Sequence, residues 1–140
     1  MRTIKITVLA ALTSGLLLSS CKYEEGPAIS VLTKKQRVEN TWVIDKALDN
    51  GEDVTSDFDE YTLITDKDGD AKLNASYTFG NFTYDAETNG TWTFEDSKES
   101  INFDYEDDDA DKTYQILKLK SNEMWLREKG DDLELRLKSK

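Results

Sequence analysis

The chain has 140 residues, with 29 Asp and Glu against 18 Lys and Arg, a formal net charge of −11, one cysteine and no histidine. So acidic a surface repels phosphate backbones and argues against nucleic acid as a partner. The lack of histidine removes the commonest general base and a principal zinc ligand, and a lone cysteine leaves a single domain of this size to rest on packing alone.

At the N-terminus, Arg2 and Lys5 precede a stretch from Ile6 to Leu18 that is apolar apart from Thr7, Thr13, Ser14 and Gly15. The stretch is too short to remain as a spanning helix, and small residues follow it, which is the layout of a secretory signal. The last residues, Leu18-Ser19-Ser20-Cys21, resemble the lipobox of bacterial lipoproteins. That resemblance implies a signal peptide over residues 1–20, cleavage behind Ser20, and acyl chains (palmitate among them) on the sulfur and the new amine of Cys21. The alternative is an ordinary secretory signal with a cysteine near its end. Each buried methylene is worth about 0.8 kcal/mol, and two or more chains anchor a protein stably. The expected address is the bacterial outer membrane, with the membrane itself as a partner through Cys21. Residues 21–30 read as a lipidated tether, charged and then broken by Gly26-Pro27. Its Glu24-Glu25 pair resembles the export signals of Bacteroidota surface lipoproteins, so outward display and periplasmic placement both stand open.

Over 31–40 the sequence predicts one or two helical turns capped by Thr33. Beyond them the apolar residues recur with period two, interrupted by turn signals. Strands are expected over 41–48, 61–65, 73–79, 91–94, 101–105, 113–119, 124–127 and 133–137. Asn89-Gly90 reads as the turn that launches the fourth of these. In the sixth, the apolar face switches from Tyr114 and Ile116 to Leu117 and Leu119, which suggests a bulge. Sequential strands joined mostly by tight hairpins predict an all-β domain over 31–140. Its form is a small eight-stranded antiparallel up-and-down barrel, with a sandwich as the alternative.

The segments Val38-Glu39-Asn40-Thr41-Trp42, Asn89-Gly90-Thr91-Trp92-Thr93-Phe94, Tyr114 to Leu119 and Met124-Trp125-Leu126 resemble the lipocalin-like domain of small Bacteroidota lipoproteins. The resemblance implies a lipocalin-like barrel used for binding, in a family whose members mostly lack an assigned biochemical role. Lipocalins open on Gly-x-Trp, the Trp lying beneath a late arginine. Here the position reads Asn40-Thr41-Trp42, and the surviving expectation is that Trp42 packs against Arg136 or Arg127 at a barrel end.

Two acidic runs invite calcium. Counted as EF-hand loops, Asp66 to Asp70 and Asp107 to Asp111 lack glycine at the sixth position and glutamate at the twelfth, so solvated turns are the expectation. No acidic pair stands on an apolar strand face, no serine or threonine has a histidine partner, and no glycine-rich phosphate loop is present. The chain is therefore expected to be no enzyme and to need no cofactor or metal. Tyr77, Phe79, Trp92, Phe103, Tyr105 and Tyr114 alternate toward a common interior and are the candidate ligand-lining residues. An eight-stranded barrel is just wide enough to be filled by side chains or to hold one small ligand, and rings this large on strands this short favour filling. Two functions follow. One is capture of a small hydrophobic or amphipathic ligand; the other is a surface module for a protein partner, with a filled barrel.

Overall fold

The computed structural model describes residues 32–140; the leader and the whole tether with Cys21 lie outside the described residues. The first element is set by Thr33. Its hydroxyl accepts from the Gln36 amide at 3.1 Å while its own amide donates to the Gln36 side chain at 2.9 Å. This reciprocal cap starts the helix α1 (Lys34–Val38). Five residues make little helix by themselves, and the turn is held from below. Trp42 Nε1 donates to the Val38 carbonyl at 2.9 Å, and the Thr65 hydroxyl donates to the same oxygen.

Nine strands follow: β1 (Asn40–Asp49), β2 (Glu52–Asp53), β3 (Phe58–Thr65), β4 (Asp70–Phe79), β5 (Phe82–Glu95), β6 (Ser100–Tyr105), β7 (Lys112–Leu119), β8 (Glu123–Glu128) and β9 (Leu133–Ser139). Each of β3 to β9 pairs antiparallel with its neighbour in sequence, β3 pairs with β1, and β1 also pairs with β9. The result is a closed eight-stranded antiparallel barrel. Closure gives every barrel strand a partner on both sides. The two-residue β2 is a side ribbon against Leu48 and Asp49 of β1, outside the barrel count. A slip in register marks β1 between Ile44 and Lys46; its first residues, Asn40 to Val43, pair with β3, and Trp42 to Asp49 pair with β9.

The bulge expected in β7 is present, between Ile116 and Lys118 against β8, and it turns Leu119 into the core. The turn expected at Asn89-Gly90 is absent. These residues lie inside the 14-residue β5, with Gly90 facing Ala71 on one side and Tyr105 on the other. Glycine serves there because the β6 backbone passes too close for any side chain. The real hairpin between β4 and β5 is at Gly80-Asn81, where Gly80 takes φ +59°.

Candidate functional site: an aromatic cup at the open barrel end

The barrel interior divides into a packed end and an open one. In the packed end Trp42, Leu63, Phe103, Leu119 and Met124 are wholly or almost wholly buried beneath α1. Trp92 closes the same region, its Nε1 donating to the Asp66 carbonyl at 3.1 Å and its amide to Gly69 O at 2.8 Å. Neither expected arginine reaches Trp42. On β9, Leu133, Leu135 and Leu137 face inward, so Arg136 faces out, and its guanidinium lies 4.1 Å from the Trp125 ring. Arg127 is also on the outer face, bound to Glu134 at 3.2 Å. Alternation along the strand thus puts Trp42 and both arginines on opposite faces of the sheet.

At the other end the interior is not filled. A cavity of about 500 Å³ opens to solvent between the β1–β3, β4–β5, β6–β7 and β8–β9 connections. The space arises from small side chains on neighbouring strands: Ala75 of β4 pairs with Ala86 of β5, one step deeper than the pair Tyr77–Tyr84. Above the alanines the rings form a continuous wall. Tyr77 lies 5.2 Å from Tyr84, 5.6 Å from Phe58 and 6.0 Å from Phe79, the last pair stacked at 11°. Phe79 and Phe82 carry the wall to the hairpin tip, each 54 % exposed and 5.3 Å apart.

Of the six candidate lining residues, Tyr77, Phe79 and Tyr114 line the cavity. Trp92, Phe103 and Tyr105 do not; they belong to the packed core, Phe103 stacked on Tyr105 with centroids 5.9 Å apart. The expectation of a filled interior therefore holds for one end and fails for the other. Sequence reasoning missed Phe58, Tyr61 and Tyr84, along with Leu133 and Leu135 on the far wall. Tyr84 was legible only by counting two residues on from Phe82 across the hairpin. Phe58 precedes the stretch expected to be strand.

The lip of the cup is charged. Asp49, Asp57, Asp109 and Asp131 line it, and Lys112 pairs with Glu128 at 3.0 Å. Deeper in, burial holds the phenol protons of Tyr61, Tyr105 and Tyr114 well above the ordinary tyrosine range. For Tyr84, burial acts first and the negative charges of Asp107 and Asp109 push the same way. The Tyr84 hydroxyl is sealed from solvent and lies beside the Asp107 carboxylate.

The two acidic runs are turn chemistry. The Asp66 carboxylate accepts from the amides of Asp68 and Asp70, both at 2.9 Å, and Asp107 accepts from Asp109 N at 3.0 Å. Asp111 accepts from Tyr105 N at 2.6 Å. Carboxylates spent on backbone amides shape the loops. Among the described residues no group of three or more acidic or soft side chains is placed to hold a metal ion.

A closed eight-stranded barrel with one stopped and one open end is the lipocalin-like architecture, and the lipocalin-like domain profile matches residues 38–126. The chain belongs to the lipocalin-like domain family. No curated protein and no solved structure matches it. Membership is consistent with ligand binding, and no feature of the family points to catalysis.

Proposed function

We propose that this protein is a non-enzymatic envelope lipoprotein, anchored through acyl chains on Cys21, that holds a small hydrophobic or amphipathic molecule in the open end of its barrel. The cavity carries this reading. Its volume of about 500 Å³ falls within the usual range of roughly 300–1,000 Å³ for small-molecule sites, and aromatic and aliphatic side chains make up its walls below the charged lip.

Fluorescence titration with the neutral probe N-phenyl-1-naphthylamine tests the reading. Ala75 lines the cavity and is 6 % exposed, so Ala75→Trp should fill the space and abolish the signal while circular dichroism is unchanged. Equal binding by both forms, or by neither, would count against it. For the anchor, Cys21→Ser should move the protein from the membrane to the soluble fraction, and the mature mass should carry acyl chains. An unmodified N-terminus would remove the anchor from the account.

The second reading, a surface for a protein partner, draws on Phe79 and Phe82, exposed together at the hairpin tip. A pull-down with the tethered protein should lose its partner on Phe82→Ser if this reading is right.

A further inference from the structure

Resting on the ligand-binding reading above, we infer that the cup selects amphipathic cations: molecules with an apolar or aromatic body and an ammonium-type charge at the mouth. Among the described residues lining the cavity, Lys112 is the one cation, and Glu128 holds it at 3.0 Å. Glu128 is the more enclosed partner, its side chain 14 % exposed against 42 % for Lys112. That pair is locally neutral. The remaining charges at the lip, Asp49, Asp57, Asp109 and Asp131, all carry the same sign and come from the β1–β3, β6–β7 and β8–β9 junctions. Spread around a low-dielectric mouth, they focus a negative potential into the cup.

The walls favour the same sign. Tyr77, Tyr84, Phe58 and Phe79 line the cavity, and aromatic rings attract ammonium groups through their electron-rich faces. A carboxylate or sulfate entering here would find no unpaired cation among the described lining residues and would face four anions. The chain's overall charge of −11 steers cations toward the domain from a distance, while the lip decides which end they enter.

Three probes sharing one ring system separate the possibilities: 1-naphthylmethylammonium, 1-naphthalenemethanol and 1-naphthylacetate, titrated into the purified protein at pH 7 and low salt. The ammonium should bind tightest, ahead of the acetate by about tenfold or more, and the gap should narrow as salt is raised. Replacing all four lip aspartates (Asp49→Asn, Asp57→Asn, Asp109→Asn, Asp131→Asn) should erase the preference and leave the alcohol's affinity unchanged, which also shows that the cup is intact. Equal binding of all three probes, or preference for the acetate, would overturn the charge selectivity while the cavity keeps its role. Failure of every probe at millimolar concentration would overturn both.

Discussion

The carbonyl oxygen of Asp104 lies 2.0 Å from where a β-carbon on Gly90 would stand, and the Cα of Tyr105 lies 2.6 Å from it. Both are backbone atoms of β6 and neither can swing aside. Gly90→Ala should therefore pry β5 from β6 and cost about 3 kcal/mol by overpacking. A urea midpoint lowered by roughly 1 M or more is expected for a domain of this size. An unchanged midpoint would mean the two strands are not in this register.

Trp42 and Arg136 should behave as strangers. Trp42→Phe keeps a ring but loses the bond to Val38 O, which retains the Thr65 hydroxyl, so the cost should be about 1–3 kcal/mol. Arg136→Met releases a surface cation from Trp125, which Lys118 also approaches at 4.3 Å, and should cost under about 1 kcal/mol. In the double variant the two should add to within about 0.5 kcal/mol. A coupling above about 1 kcal/mol would restore the contact across the sheet that the alternation denies.

The buried tyrosines set the alkaline limit of stability. Tyr61, Tyr105 and Tyr114 titrate near 10 when unfolded and well above it when folded, burial being the first cause in each. Above about pH 10 the unfolded chain gives up protons that the folded chain keeps, so stability is full below that pH and falls as it rises. Absorbance at 295 nm should show an early, reversible phase from the more accessible phenols. A later cooperative phase should coincide with loss of circular dichroism. All six tyrosines ionising together near pH 10 in a folded protein would contradict the burial described.

Local chemistry made much of this fold readable and long-range pairing hid the rest. The Thr33 cap, the period-two strands and the change of face at Leu117 are near-neighbour signals, and the structure carries each of them. Asn89-Gly90 carried the same kind of signal and misled. Locally an Asn-Gly pair favours a hairpin, but here the glycine answers to Asp104 and Tyr105, some fifteen residues on. The arginines were misplaced for a different reason. Leu135 and Leu137 flank Arg136, so alternation along β9 turns it outward, and the family pattern of a Trp beneath a late arginine does not hold on this strand. The cup itself depends on Ala75 meeting Ala86 across a hairpin and on Phe58 reaching Tyr77 from the start of β3. Inward alternation names the wall residues on one strand. It does not say at which level the barrel stops being filled.

Native mass spectrometry of the protein purified from its own host, beside the Ala75→Trp variant, tests the central claim most directly. The account predicts a defined extra mass of a small organic molecule on the parent protein and none on the variant, with both folded. Parent protein that is always empty, or an adduct that persists when the cup is filled, would contradict it.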